Sequence, residues 1–146
     1  MDEDPTSARC SPGSCCPAEC RIMKIVPNVD RTQFSIPGVE HQTLASHRDG
    51  VIGLEIWNQS LATGAQTPAH YHDCDEVVMI FSGSGHAVID GESHAFGPDS
   101  TLIFPAGVTH QLVNSGDAPI TLLAALSASP AKVFAPDGTE IALPWS

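Results

Sequence analysis

Lysine and arginine are scarce in this chain of 146 residues. Six of them stand against 17 aspartates and glutamates, so the formal net charge at neutral pH is −11. Binding to nucleic acid or to an anionic membrane surface needs clustered Lys and Arg, which are missing. Long apolar runs are missing too, since no stretch approaches the ~20 residues of a spanning helix. The composition predicts a soluble, cytoplasmic protein with neither nucleic acid nor membranes as partners.

The periodicity of a helix is also absent from this sequence. Short β-rich runs alternate instead with Gly, Pro, Asn and Asp, whose backbone preferences favour turns. The pair Asp90-Gly91 between two such runs predicts a tight hairpin. A chain of this length can bury the core of one domain. We therefore predict a single all-β barrel or sandwich. The main runs are residues 51–57, 77–81, 85–89, 93–96, 101–104, 108–113 and 120–126.

Four of the five cysteines lie close together near the N-terminus. Their spacing matches no common zinc module and no histidine accompanies them, which argues against a zinc site. A disulfide knot would need an oxidising compartment, for which nothing else in the sequence argues. We interpret residues 1–22 as a disordered Cys-rich tail and residues 23–146 as the folded domain. The four are Cys10, Cys15, Cys16 and Cys20.

Three histidines and one glutamate form the most informative pattern. In an extended strand His70 and His72 would project from the same face, about 6–7 Å apart. Glu76 opens an apolar run, where a buried carboxylate is costly unless it is paired or bound to a cation. Three imidazoles and a carboxylate suit a divalent transition ion such as iron, manganese, nickel, copper or zinc. We predict one such ion, bound by His70, His72, Glu76 and His110.

The spacing of these residues resembles the two motifs of the cupin superfamily. The first motif reads Gly64, five residues, His70-Tyr71-His72, three residues, Glu76, six residues and Gly83. The second reads Pro105-Ala106-Gly107-Val108-Thr109-His110, three residues and Asn114. The resemblance covers roughly residues 44–126 and implies a small antiparallel β-barrel, or jelly roll, with the metal held inside by the four predicted ligands. Asp99 stands where the family has glycine, so we expect that loop to turn differently.

Five further residues near this pattern have structural explanations. Cys74 could be a redox-reactive thiol or an extra ligand, but a partly buried spectator in the connecting turn is the preferred interpretation. His41 and His47 lie in a polar segment, and we expect them at the surface. His86 and His94 flank the hairpin at facing positions, where cross-strand pairing explains them.

Four more residues have two interpretations each. Asn114 could hydrogen-bond a ligand or stabilise the turn after the second motif. Trp57, Phe81 and Phe104 lie in apolar strands, where barrel packing is the first expectation and substrate contact the second.

The positions of the few Lys and Arg residues restrict the chemical class of the ligand. None lies between Asp49 and Ala131, and phosphate recognition usually recruits Arg for bidentate hydrogen bonds. We therefore predict a small, partly apolar ligand that is neutral or singly charged. The main hypothesis is a metal-dependent enzyme of the dioxygenase-like or isomerase/lyase-like kind, and the alternatives are a non-catalytic binding or sensing cupin and a storage or structural metal protein. Small barrels of this type resemble proteins that form homodimers through N-terminal strands, so we expect residues 25–44 to supply such an interface.

Overall fold

The structure is a computed structural model that describes residues 23–146, so the interpretation of residues 1–22 lies outside it. Eleven β-strands and two single turns of 3-10 helix, at Asn28–Asp30 and His47–Asp49, form the described chain. Among these residues no helix has the length and apolar character needed to cross a membrane. The strands are β1 Phe34–Ile36, β2 Val39–Ala45, β3 Glu55–Leu61, β4 Glu76–Ser82, β5 Gly85–Ile89, β6 Glu92–Phe96, β7 Ser100–Phe104, β8 His110–Val113, β9 Ile120–Leu126, β10 Val133–Phe134 and β11 Glu140–Ile141.

Two antiparallel sheets and one short strand pair are formed by residues 23–146. The larger sheet has six strands in the order β1-β2-β3-β9-β4-β7, and the smaller has the order β6-β5-β8. Strands β10 and β11 pair with each other near the C-terminus. The predicted all-β, antiparallel fold class is confirmed.

Alternation along the strands builds the core. In β9 the side chains of Ile120, Leu122, Ala124 and Leu126 are buried, while those between them are partly exposed. This period of two places one face of the sheet inward. Each Leu or Ile buried in this way contributes about 1.5–3 kcal/mol to folding. The core reaches beyond residues 44–126, because Val39, Ala131 and Val133 also belong to it.

The Asp90-Gly91 hairpin forms as predicted between β5 and β6. Asp90 has φ 50° and Gly91 has φ 77°, as a two-residue hairpin with two left-handed positions requires. The predicted pairing of His86 with His94 is wrong, however. His86 lies opposite Ala95 and His94 opposite Ala87. The two histidines are one residue out of register, so they project to opposite faces of the sheet.

A left-handed residue also occupies the loop before β7. Asp99 has φ 59°, a conformation that glycine adopts most readily and that Asp tolerates better than most residues. Its N–H donates to the carbonyl of Ile80 at 2.9 Å. The chain thus makes a glycine-like turn at this position without a glycine.

Two predictions about apolar segments need correction. Strand β3 spans Glu55–Leu61 rather than residues 51–57, because Gly50 and Gly53 have positive φ and keep the preceding residues irregular. Phe81 was expected to pack inside the barrel, but its position on β4 points outward and it is 58% exposed. The packing predicted for Trp57 and Phe104 is confirmed, since both are buried.

His41 is buried, contrary to the predicted surface position, whereas His47 is exposed as expected. The ring of His41 stacks on Trp145, with centroids 3.6 Å apart. The amide of Gln59 donates to its Nδ1 at 2.9 Å, and its Nε2–H donates to Thr43 Oγ1 at 2.8 Å. An aromatic partner from the other end of the chain explains this burial.

We expect the burial of His41 to make stability depend on pH. Burial lowers its pKa from 6.5 to about 4, so between these pH values the unfolded chain binds a proton that the folded chain excludes. The contribution of His41 to the free energy of unfolding is therefore fully present above pH 6.5. It falls as the pH drops towards 4, and the loss is about 2 kcal/mol at pH 5. Urea unfolding at pH 7.5 and pH 5 measures this loss.

The control compares the pH slope between variants, because other groups also titrate. His41→Asn is expected to be less stable at pH 7.5 but to lose about 2 kcal/mol less than the natural protein between the two pH values. Val29→Asn, at a position that is 87% exposed and has no titratable side chain, should keep the natural slope. Equal slopes for the natural protein and His41→Asn would contradict the prediction.

Candidate metal centre

The two sequence motifs are joined directly through their backbones. The N–H of His70 donates to the carbonyl of His110 at 3.0 Å, and the N–H of His110 donates back at 2.8 Å. His72 follows two residues after His70, Glu76 opens β4, and His110 opens β8. As a result, one ligand atom from each of the four side chains lies within 4.8 Å of all the others. The structure thus brings together all four residues that the sequence predicted.

Backbone carbonyls orient the three imidazoles of this cluster. Each Nδ1 lies 2.7–2.9 Å from a carbonyl oxygen. A carbonyl only accepts, so each Nδ1 carries the hydrogen and donates it, which directs the lone pair of Nε2 away from the backbone. Such second contacts commonly fix the tautomer of metal-binding histidines. The carbonyls belong to Pro68 for His70, Lys132 for His72 and Val108 for His110.

The contacts of the Glu76 carboxylate with two imidazoles indicate a cation site. Its Oε1 lies 3.0 Å from Nε2 of His110, and its Oε2 lies 3.3 Å from Nε2 of His72. The buried Nε2 of His72 makes no hydrogen bond to any described residue. With each Nδ1 already carrying a hydrogen, two electron-pair donors meet in both contacts. A shared proton or a metal ion resolves this, so the donor set fits a divalent transition ion.

The protonation of the cluster favours cation binding. Burial raises the pKa of Glu76, but the imidazoles of His110 and His72 lower it by more, and the net value is about 2. Burial and the neighbouring His110 lower the pKa of His70 to about 4. Burial lowers the pKa of His72 while Glu76 raises it, with a net rise. At neutral pH the site therefore holds a carboxylate and at least one neutral imidazole.

Cys74 lies between two members of the cluster without joining it. The side chain is buried and is no part of the four-residue group. Burial and the nearby carboxylate of Asp73 raise the pKa of its thiol, which makes the reactive thiolate scarcer at neutral pH. These observations favour the spectator interpretation.

Contacts that the sequence did not predict surround the cluster. Asp75 Oδ1 accepts the N–H of Ala106 at 2.9 Å and so ties the first motif to the second. Trp57 lies edge-on to His72 and donates its Nε1–H to Glu55 Oε2 at 2.8 Å. The buried Glu55 also accepts from Ser129. The sequence signal for Glu55 and Asp75 was that each is an acidic residue in or beside an apolar run.

A cavity of about 200 Å³ opens beside the cluster. Among residues 23–146, His70, Glu76 and His110 supply its charged or titratable groups, and neither Lys nor Arg lines it. Its other walls are mostly apolar and include the C-terminal residues 141–145. The sequence did not predict a role for this C-terminal segment or for Gln59, which also lines the cavity. The site thus has one polar end and apolar walls.

Comparison with known proteins places this site in a family. The sequence profile described as auxin binding protein matches residues 12–144. The chain belongs to the auxin-binding protein family. Auxin-binding protein 1 of Arabidopsis thaliana is 32% identical over 134 residues, which is 84% of this chain and 67% of that protein. The family lies within the cupin superfamily, so the predicted cupin resemblance is confirmed.

Solved structures of other cupins share the fold. The polyketide cyclase RemF from Streptomyces resistomycificus matches 84% of this chain and 87% of its own with a TM-score of 0.67, but it is only 19% identical, so this likeness shows the fold alone. A sugar phosphate isomerase of the cupin superfamily from Silicibacter pomeroyi is 31% identical, with a TM-score of 0.60 over 69% of this chain and 67% of that one. The jelly-roll fold implied by the resemblance is confirmed.

Proposed function

We propose that this member of the auxin-binding protein family is a metal-dependent binding protein for a small monocarboxylate with an apolar body. The observation that carries the proposal is a cavity with a His/Glu cluster at one end and apolar walls elsewhere. A divalent ion bound by His70, His72, Glu76 and His110 would supply a Lewis-acidic centre with room for one anionic oxygen. The relatives named for auxin binding support a ligand of this class.

Size and charge restrict the ligand further. About 200 Å³ is smaller than the ~300–1,000 Å³ of sites for drug-sized molecules. A divalent ion keeps about one positive charge after the carboxylate of Glu76 binds, which matches one carboxylate on the ligand. The part of the chain that the structure describes offers neither Lys nor Arg to a phosphate in this cavity. A sugar phosphate, as named for the isomerase from Silicibacter pomeroyi, is therefore a poorer candidate.

A metal-dependent enzyme is the second candidate. An octahedral ion with four protein ligands would keep positions open for a substrate, and the isomerase from Silicibacter pomeroyi, at 31% identity, supports chemistry. Against it, no described residue that lines the cavity has a titratable side chain, apart from members of the cluster. General acid–base catalysis needs such a group within hydrogen-bond reach of the substrate. The lining therefore favours binding over turnover.

Calorimetry on the metal-loaded protein tests the proposal. Indole-3-acetate, an auxin, is expected to bind, and its neutral amide analogue of equal size is expected to bind at least tenfold more weakly, because the amide lacks the anionic oxygens. Glucose 6-phosphate should give no heat. Equal binding of acid and amide, or tight binding of the sugar phosphate, would contradict the proposal. Conversion of the acid, followed by NMR, would select the enzyme instead.

A further inference from the structure

Three of the four Lys and Arg residues in the described chain lie around one residue, Asp49. The Nζ of Lys24 donates to the carbonyl oxygen of Asp49 at 2.9 Å, and Nη1 of Arg31 donates to its carboxylate Oδ1 at 2.8 Å. Arg48 precedes Asp49 in the same turn of 3-10 helix. The chain as a whole has a net charge of −11, so this group of cations is a local exception.

A second cavity, of about 210 Å³, lies beside these cations. Arg31 and Arg48 line it, and we call it the arginine pocket. Phe34 and Trp145 line it as well, with ring centroids 6.2 Å apart. Of the described residues that line the arginine pocket, Trp145 alone also lines the cavity beside the metal centre. The two cavities are therefore separate spaces that share one wall.

Hydrogen-bond donors at the arginine pocket lack acceptors. Asp49 binds Nη1 of Arg31, whereas the buried Nε of the same guanidinium makes no hydrogen bond to any described residue. The same is true of the buried Nε1 of Trp145. Arg48 is exposed, and its hydrogen bond to Ser46 uses the backbone N–H rather than the guanidinium. Because leaving a buried donor unpaired costs about 1–3 kcal/mol, these groups favour a ligand that offers acceptors.

The charges around the arginine pocket favour a ligand with one negative charge. Asp30 and Asp49 also line the pocket, so the three cations and these two carboxylates leave one net positive charge. The carboxylate of Asp49 is engaged by Arg31 at 2.8 Å and by the N–H of Ser46 at 3.1 Å. Asp30 is exposed and would repel an anion, which limits the charge that the pocket accepts.

We infer that the arginine pocket is a second binding site, for a singly charged oxyanion carried on a planar apolar group. Its two guanidinium groups present N–H donors in the paired geometry that matches the oxygens of such an anion. The rings of Phe34 and Trp145 offer apolar surface to the planar group. Since Arg48 and Asp30 are exposed to water, we expect a dissociation constant of roughly 1 mM. The site uses none of the four metal ligands, so it does not depend on the proposed carboxylate.

Titration of the zinc-loaded full chain with benzenesulfonate, followed by NMR of the backbone amides, tests the inference. We expect shifts centred on Thr32, Phe34 and Arg48, which line the arginine pocket. Thr67 and Leu112 line only the cavity beside the metal centre, and their amides should move little. Benzenesulfonamide has the same size without the charge, and sulfate has the charge without the ring. Each should bind about tenfold more weakly than benzenesulfonate.

Three substitutions at exposed positions test the role of charge. Arg48→Gln is expected to weaken benzenesulfonate binding about tenfold, because a charge-assisted hydrogen bond is lost. Asp30→Asn removes the opposing carboxylate and should strengthen binding about two- to fivefold. Ser93→Asp, on β6, is the matched control, since it changes the net charge by as much as Arg48→Gln and should leave the affinity unchanged. An unchanged melting temperature verifies folding.

Each contrary result would overturn the inference. Shifts centred on Thr67 and Leu112 would place the ligand beside the metal centre instead. Equal affinities of the natural protein and Arg48→Gln would exclude the guanidinium, and an equal loss in Ser93→Asp would reduce the effect to overall charge. Equal binding of benzenesulfonamide or sulfate would remove the role of the charge or of the ring. The absence of shifts at about 20 mM benzenesulfonate would show that the pocket binds no such anion.

Discussion

Replacing Glu76 with glutamine is expected to weaken metal binding roughly 100-fold or more. Replacing a residue that only contacts a metal ligand typically lowers metal affinity 10- to 100-fold. This substitution changes a ligand itself and removes the negative charge of the ligand set. The substitution keeps the size of the side chain, so the loss would come from charge and coordination rather than from a cavity. Elemental analysis of the purified protein and titration with zinc measure the effect.

Glu55 provides the matched control for this experiment. Both glutamates are buried and both have a carboxylate oxygen within 3.0 Å of a side-chain ring nitrogen, but Glu55 lies outside the four-residue cluster. Glu55→Gln is expected to cost some stability, through its contact with Trp57, and to keep the metal. Equal metal content in Glu76→Gln and the natural protein would contradict the proposed centre. So would an equal loss in Glu55→Gln, because the effect would then be a general one of burial.

The sequence predicted those features that depend on residues close together in the chain. The spacing of His70, His72 and Glu76 within one segment sets their common direction. The pair Asp90-Gly91 sets its hairpin through its own backbone preferences. The segment Ile120–Leu126 alternates in burial along a complete strand, and its predicted bounds agree with β9. His110 was predicted because residues 105–114 resemble the second motif of the cupin superfamily.

Features that depend on distant partners escaped prediction. Strand β4 is apolar on both faces, so its composition could not show that Phe81 points outward while Val78 and Ile80 point inward. His41 looked like a surface residue because its neighbours in sequence are polar. Its burial is decided by Trp145, from the far end of the chain. The C-terminal wall of the cavity was missed for the same reason, because no local pattern connects residues 141–145 to the metal ligands.

Asn114 shows how the structure decides between two interpretations that the sequence left open. Its side chain is buried, and its amide N–H groups donate to the carbonyls of Leu61 and Ala118 at 3.1 and 2.9 Å. Its Oδ1 accepts the N–H of Gly116 at 3.1 Å. All of these partners are backbone groups, and Asn114 does not line the cavity. The turn-stabilising interpretation is therefore the correct one.

Replacing Asn114 with alanine is accordingly expected to lower the free energy of unfolding by about 2 kcal/mol, because the change removes the partner of the buried carbonyl of Leu61 and of two partly exposed backbone groups. Chemical denaturation measures this loss. Asn58→Ala is the control, since that side chain is only partly buried, bonds only another side chain at 3.3 Å, and should change stability by no more than about 0.5 kcal/mol. Metal content should stay natural in both variants. A stable Asn114→Ala protein that has lost ligand binding would instead show that the amide contacts the ligand, and the turn that joins the second motif to β9 would need another explanation.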